Sequence, residues 1–214
     1  MKFNRACLTG AMLATVASLA QAAPIGIVDP AGDILPTYAG NPATSGDLDV
    51  LSAFATYNPG NNNFTLSARM NGSIGATAGG FYVWGVNRGG AGPNATFAAN
   101  GINNVLFNSA ILLQQNGTGS IGGNALPLGS VTILGDVITA IVNASLLPST
   151  GFTSDKYTWN IWPRNGNAGT GFAQITDFAP NNSNFASELV VAAPPSLAIV
   201  ALGLGLLAWR RRQC

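Results

Sequence analysis

The chain has 214 residues, of which 47% are hydrophobic and 8% are charged. Residues 24–193 contain eight acidic and four basic residues, which excludes the basic surface that a nucleic-acid-binding protein needs to displace phosphate counterions. There is no histidine, the commonest general base and metal ligand, and the two cysteines, Cys7 and Cys214, lie outside residues 24–193, so no disulfide can form within that region.

Residues 1–23 have the pattern of a secretory signal peptide. Two basic residues precede an uncharged apolar run at residues 6–19. The small residues that would define the cleavage site are Ala20, Ala22 and Ala23. We therefore predict export through the secretion translocon and cleavage by signal peptidase. A retained N-terminal anchor is the alternative, although the run is short for a bilayer span of about 20 residues.

Four aspartates lie within twenty-one residues that contain no base: Asp29, Asp33, Asp47 and Asp49. Carboxylate and loop carbonyl oxygens suit Ca²⁺, and grouped carboxylates need a cation. Asp177 would join them if the two ends of the domain pair. We therefore predict a calcium site from these five residues. The alternative is that they are solvated turn carboxylates bonded to local backbone amides.

Residues 24–192 show the period-two alternation of β-strands and no sustained helical period. Gly135 and Asp136 stand between two apolar runs and predict a hairpin, and a helical turn is expected near residues 143–147. The sequence predicts an all-β fold, an antiparallel β-sandwich or jelly-roll-like single domain. The expected strands are Asp47–Tyr57, Phe64–Met70, Phe81–Val86, Asn104–Leu113, Val131–Ile133, Val137–Val142, Tyr157–Trp162 and Gly171–Phe178.

Two motif matches lack the context that their functions need. Residues 117–122 fit G-x-G-x-x-G, but Pro127 and a strand pattern follow in place of the helix that a dinucleotide site requires. Residues 147–151 fit L-P-x-T-G, but about sixty more residues follow. We interpret both as loops.

The aromatic residues allow two interpretations. Tyr82, Trp84, Trp159 and Trp162 lie in predicted strands, where they would fill the core. Alternatively, exposed rings would form a stacking platform for sugars. Trp162 and Tyr82 are the candidate ligand-binding residues in that case, because residues 163–166 after Trp162 resemble the start of a loop.

The C-terminal residues 193–214 end in an uncharged stretch and a basic tail. As a helix rising about 1.5 Å per residue, residues 197–209 would cover roughly 20 Å. A transmembrane helix is predicted at about residues 196–209, stopped by Trp209 at the interface and by Arg210, Arg211 and Arg212 on the cytoplasmic side. The exported domain would remain anchored to the membrane.

This tail resembles the PEP-CTERM sorting signal of Gram-negative bacteria that produce exopolysaccharide. The resemblance rests on Ala193, Pro194, Pro195 and Ser196, the short apolar helix and the terminal arginines. It implies processing by an exosortase-like enzyme, although family members usually have Pro-Glu-Pro where this chain has residues 193–195. A plain anchor without processing is the alternative. Residues 29–33, 46–50, 81–88 and 157–164 resemble β-sandwich proteins that carry this tail, a family of no established activity.

From these features we predict an exported, non-catalytic cell-surface or extracellular-matrix protein associated with exopolysaccharide or biofilm. The only cofactor predicted is Ca²⁺. One alternative is a calcium-stabilised carbohydrate-binding or adhesion module. A second is an enzyme that acts on polysaccharide through paired carboxylates, although no catalytic residues are predicted.

Overall fold

A computed structural model describes residues 26–190, and nearly all regular structure in that range is β-strand. Helical structure there is limited to one four-residue α-helix, α1 (Ala95–Ala98), and five short 3-10 turns. The strands are β1 Ile27–Val28, β2 Val50–Asn58, β3 Asn63–Met70, β4 Gly80–Asn87, β5 Ser109–Gln114, β6 Gly119–Ile121, β7 Asn124–Ala125, β8 Val131–Leu134, β9 Val137–Asn143, β10 Thr158–Asn165, β11 Phe185–Ala186 and β12 Glu188–Leu189. The prediction of an all-β fold is confirmed.

The strands form two six-stranded sheets. The first has the order β1-β2-β3-β9-β8, and the second has the order β11-β10-β4-β5-β6-β7. All neighbours in these two orders are antiparallel. Strand β12 is parallel to β2 and pairs with Thr56 and Tyr57, while β1 pairs with Ser52 and Ala53. The segments nearest both described ends therefore share one edge of β2.

Nine of the twelve described strands follow the strand order of immunoglobulin variable-type domains, and β1, β7 and β12 are additional. Strands β2, β3, β9 and β8 correspond to A, B, E and D, and β11, β10, β4, β5 and β6 correspond to G, F, C, C′ and C″. The hairpins β2–β3 and β8–β9 each remain within one sheet.

Aromatic side chains from both sheets meet in the core. Trp84 on β4, Trp159 on β10 and Phe64 on β3 are fully buried. The Phe64 ring lies 5.1 Å from Trp159, which lies 6.5 Å from Trp84, both edge to face. Immunoglobulin domains of antibodies place a disulfide between strands B and F against a tryptophan on C. Here the aromatic pair Phe64–Trp159 joins those two strands.

The strands with the clearest alternation lie where they were predicted, namely β3, β4, β8, β9 and β10. The hairpin at Gly135 and Asp136 is also confirmed: Leu134 pairs with Val137, and Gly135 has the positive φ of 63° that such a two-residue turn requires. A 3-10 turn at Ala144–Leu146 confirms the expected helical turn.

Three of the expected strands differ from the structure. Strand β2 begins only at Val50, because Gly46–Leu48 forms a 3-10 turn, and β5 begins only at Ser109. The expected strand Gly171–Phe178 is wrong: Gly171–Gln174 forms a 3-10 turn, followed by an isolated bridge from Ile175 to β10. Phe172, Ile175 and Phe178 instead pack over the outer face of the second sheet, which their spacing of three residues allows.

Candidate metal centre

Three separate parts of the chain bring carboxylates together beside the first sheet. Asp29 follows β1 and is positioned by its backbone N–H, which donates to the Leu51 carbonyl oxygen at 2.9 Å. Asp49 immediately precedes β2, and Asp177 lies between the last 3-10 turn and β11. The chain around Asp177 is held by Thr176, whose backbone N–H donates to the Pro163 carbonyl oxygen at 3.1 Å.

Asp29, Asp33 and Asp177 form the centre of this group. Each presents one carboxylate oxygen, and these three oxygens all lie within 4.8 Å of one another. Asp29 and Asp177 are buried, with exposed fractions of 7% and 0%, and Asp33 is half-buried. We call these three residues the carboxylate cluster. The prediction that Asp177 joins the aspartates near residue 30 agrees with this geometry.

Hydrogen bonds satisfy only part of the cluster. The two oxygens of Asp177 accept from the backbone N–H groups of Val50 at 2.9 Å and Phe178 at 2.6 Å. Asp33 Oδ2 accepts from Asn181 Nδ2 at 3.1 Å. In contrast, Asp29 Oδ2 and Asp33 Oδ1 are buried and have no hydrogen-bond partner among residues 26–190. Leaving buried polar atoms unpaired is unfavourable by about 1–3 kcal/mol each, and by more when they are charged.

Asp49 is a fourth carboxylate next to the cluster. Its Oδ2 accepts from the Gly32 backbone N–H at 2.8 Å and from Asn71 Nδ2 at 2.9 Å. These contacts tie the turn at residues 29–33 to the start of β2. Asp49 Oδ1 is buried and also lacks a partner. Asp49 thus positions the turn and adds negative charge beside the cluster.

No basic side chain within residues 26–190 offsets this charge. The ion pairs found there join Arg69 to Asp136 and Lys156 to Asp155. Burial raises the pKa of Asp29 to about 7, with a further rise from the charges of Asp33 and Asp49. Burial likewise raises the pKa of Asp177 to about 8, and neighbouring carboxylates add to that rise. Burial and mutual repulsion therefore favour the protonated form of Asp29 and Asp177, and a cation would relieve the same repulsion.

Asp47 does not belong to the cluster, which corrects the predicted set of ligands. Its Oδ2 accepts from the Thr77 backbone N–H at 2.9 Å and from Gln115 Nε2 at 3.1 Å, and its Oδ1 accepts from the Thr77 hydroxyl. All of its oxygens have donors. Its side chain anchors the 3-10 turn that precedes β2. The alternative of solvated turn carboxylates is also wrong for Asp47, since it is 1% exposed.

Neither candidate sugar-stacking ring is accessible. Trp162 is 3% exposed, and Phe97 and Phe107 cover it with ring distances of 5.3 and 4.9 Å. Its expected exposure is corrected because β10 continues through Asn165 and no loop begins at Pro163. Tyr82 is fully buried and donates from its hydroxyl to the Asp47 carbonyl oxygen at 2.8 Å. Burial raises the pKa of that hydroxyl.

Of the two motif matches, only the L-P-x-T-G segment lies in a connection; the interpretation of residues 117–122 as a loop is corrected, because they contain a strand. Strand β6 occupies Gly119–Ile121 within the G-x-G-x-x-G segment. In the L-P-x-T-G segment, Pro148 accepts at its carbonyl oxygen from Arg88 Nη1 at 2.9 Å, and the Thr150 hydroxyl donates to the Gly89 carbonyl oxygen at 2.7 Å. These contacts hold the segment against the end of β4.

The sequence did not single out the two asparagines that hold the aspartates. Asn181 bonds to Asp33, and Asn71 bonds to Asp49. Both asparagines begin N-x-S/T triplets, a pattern that gives no indication of a role next to a carboxylate. Only the tertiary fold brings them to it, because they lie 148 and 22 residues from their partners.

Comparison of the chain with protein-family models, curated proteins and solved structures finds no match. The predicted signal cleavage residues, sorting motif and membrane helix lie outside the described residues. Within residues 26–190, no helix has the length and apolar character needed to span a bilayer.

Proposed function

We propose that this chain is an exported, non-catalytic surface protein of a Gram-negative bacterium, associated with exopolysaccharide or biofilm matrix. Its domain is an immunoglobulin-type β-sandwich that the C-terminal helix first holds at the membrane. An exosortase-like enzyme then acts on the tail around Pro194 and Pro195. The signal pattern at residues 1–23 and the apolar and basic tail at residues 193–214 support export and anchoring.

The proposal that the domain is not catalytic is supported by one observation: buried polar groups of the domain hold its own loops together. Asp47 fastens the turn before β2 to Thr77 and Gln115. Asn160 Nδ2 donates to the carbonyl oxygens of Pro180 and Ser183 at 2.7 and 2.8 Å. Groups bonded in this way maintain the shape of the loops, which favours a structural or binding role over catalysis.

The alternative of a polysaccharide-acting enzyme has less support. The two carboxyl groups of a glycosidase flank the scissile bond at roughly 5–10 Å, with substrate between them. The oxygens of Asp29, Asp33 and Asp177 converge within 4.8 Å, and two of these residues are buried. That convergence favours the other alternative, a module stabilised by a divalent cation.

One open depression of about 330 Å³ offers a place for a matrix polysaccharide. Hydroxyl groups and an aromatic ring suit a neutral sugar, because the ring stacks and the hydroxyls bond. Phe152 supplies the ring and is 39% exposed. The serine and threonine residues that line the depression are Ser145, Ser149, Thr153 and Ser154.

Cell fractionation tests export and sorting. Tagged full-length protein should be found in the membrane and surface fractions, with a mature N-terminus near residue 23 by mass spectrometry. A form that lacks residues 193–214 should leave the membrane fraction. Full-length protein that stays in the cytosol with both termini intact would refute the proposal.

Binding is tested separately by retention on the exopolysaccharide of the host. Phe152→Ala should lower retention at least several-fold, whereas Leu128→Ala should not, since Leu128 is 97% exposed and lies outside the depression. Equal retention of both variants would remove the depression as the binding site. No retention of the wild type would leave only a structural role in the matrix.

A further inference from the structure

We infer that Asp29, Asp33 and Asp177 bind one Ca²⁺ ion, which clamps the segment following β1 to the segment preceding β11. The residues that form the site all lie within residues 26–190. Only the statement that the protein meets calcium outside the cell rests on the proposed function. If the protein is exported, calcium would stabilise its domain at the cell surface.

The carboxylate cluster has no basic partner among residues 26–190. Three carboxylate oxygens converge within 4.8 Å. A grouping of negative charge this close is strongly unfavourable in a partly buried setting unless a cation or protons compensate it. The ion pairs among residues 26–190 lie elsewhere, at Asp136 and Asp155.

Two buried oxygens of the cluster also lack a hydrogen-bond donor in the described part of the chain. Asp29 is 7% exposed, and its Oδ2 is buried and unpartnered, as is Oδ1 of Asp33. Buried carboxylate oxygens in native proteins almost always have partners. Asp177 already accepts two backbone N–H bonds, but each of its oxygens keeps a further lone pair for a metal.

The donor chemistry selects a hard cation. All three ligands are carboxylates, and neither histidine nor cysteine occurs among residues 26–190, so the site lacks the nitrogen and sulfur ligands that zinc or copper prefer. Ca²⁺ binds oxygens at about 2.3–2.6 Å in irregular geometries, so oxygens on opposite sides of the ion lie about 5 Å apart. The three oxygens fit within one such shell. Mg²⁺ demands a tighter and more regular octahedron.

The neighbouring groups are arranged to hold the ligands in place. Asp49 fixes the turn between Asp29 and Asp33 through the Gly32 backbone N–H, and Asn181 holds Asp33. The Val50 backbone N–H, at the start of β2, holds Asp177. Asp49, Asn181 and Val50 are therefore positioning residues, and both halves of the site are tied to the same strand.

The ligands come from distant parts of the sequence, and this predicts the effect of binding. Asp33 and Asp177 are 144 positions apart, and the two segments lie near the two described ends. Strands β1 and β12 are each only two residues long, which is too short for stable pairing without further contacts. Calcium should therefore suppress opening of residues 26–35 and 175–181 more than opening of the central strands.

Calcium binding to the full chain, purified in detergent and stripped with EGTA, tests the site. Titration with CaCl₂ should show one ion per chain, with an affinity near the 10⁻⁴–10⁻³ M typical of extracellular modules, and MgCl₂ should bind more weakly. Asp33→Asn should weaken calcium binding at least tenfold, because it removes one charge and keeps the size. The control Asp155→Asn should leave binding unchanged, since Asp155 pairs with Lys156 outside the cluster.

The possible contrary results distinguish among three claims: the existence of the site, its assignment to calcium and its clamping role. No calcium bound at 10 mM by the wild type, or equal binding by Asp33→Asn, would overturn the site, and tighter binding of Mg²⁺ would overturn its assignment to calcium. If calcium binds but amide hydrogen exchange slows equally over the whole domain, the clamping role is wrong. None of these results depends on export, which the cell fractionation measures separately.

Discussion

The Tyr157 hydroxyl donates a hydrogen bond of 2.9 Å to the Leu147 carbonyl oxygen, across the connection between β9 and β10. Tyr157 is 1% exposed and stands two residues before Trp159, which lies on β10. Immunoglobulin domains have a tyrosine at this corner, two residues before the second cysteine. The hydrogen bond from Tyr157 to Leu147 has a similar arrangement, although the described residues include no cysteine and Trp159 is the residue two positions after Tyr157.

Replacing Tyr157 with phenylalanine should destabilise the domain by about 1–3 kcal/mol, because the buried Leu147 carbonyl oxygen loses its donor. Urea denaturation should show a lower midpoint with an unchanged slope. The matched control is Tyr57→Phe, since the Tyr57 hydroxyl bonds to Asn62 at the exposed surface; its effect should stay within about 0.5 kcal/mol. Equal effects of the two variants would contradict a special role for the corner.

Removal of the Phe64 ring should be more damaging. Phe64 is fully buried, and its ring lies 5.1 Å from Trp159 and 5.5 Å from Tyr157. Phe64→Ala leaves a cavity where the two sheets meet, and we expect a loss of about 3–5 kcal/mol. Phe152→Ala removes the same ring from an exposed position and should destabilise by less than about 1 kcal/mol. A small loss for Phe64→Ala, measured by urea denaturation, would show that the aromatic pair does not hold the sheets together.

The sequence was informative wherever one side of a strand faces the core. In β3, Phe64 and Leu66 point inward while Thr65 is partly exposed, so the alternation is visible in the sequence. The pairing of β3 with β9 and of β4 with β10 could not be predicted, since it joins strands about seventy residues apart in the chain. The choice between a jelly roll and an immunoglobulin order depends on those pairings.

The members of the carboxylate cluster could be predicted only in part, because they too are brought together by contacts between distant residues. The density of aspartates between residues 29 and 49 predicted a group of acids. It could not predict that Asp47 and Asp49, only two positions apart, would point to different partners. The 3-10 turn at Gly46–Leu48 directs Asp47 to Thr77, away from the cluster. Which carboxylates converge is therefore set by the local backbone and by contacts with residues far along the chain.

The order of stability of Asp33→Asn and the wild type should depend on calcium. In chelator, the variant should be as stable as the wild type or slightly more stable, because Asp33 raises the pKa of both Asp29 and Asp177 by repulsion. With calcium at ten to one hundred times the dissociation constant of the wild type, the wild type should gain about 1.4–2.7 kcal/mol, and the variant, which binds at least tenfold more weakly, should gain at least about 1 kcal/mol less. Thermal denaturation checks both conditions. A wild-type melting temperature that ignores calcium would contradict the site.

The metal-free protein should lose stability as the pH rises. Asp29 and Asp177 have pKa values of about 7 and 8 in the folded chain, against an ordinary value of 3.8. An acid with a raised pKa holds its proton more tightly in the folded than in the unfolded state. Between pH 3.8 and the folded pKa, the folded state therefore binds more protons, and stability falls as the pH rises. The stabilisation is full near pH 4 and is lost as the pH passes through about 7 to 8. Urea midpoints in chelator should therefore fall between pH 5 and pH 8.

Two controls separate this effect from other titrations. Asp33→Asn should flatten the slope, because it removes one source of the raised pKa values, whereas Asp155→Asn should not change it. Saturating calcium should also flatten the slope, because the ion replaces the protons at the same oxygens. A wild-type stability in chelator that rises between pH 5 and pH 8 would mean that the buried carboxylates are compensated by something other than protons or a cation.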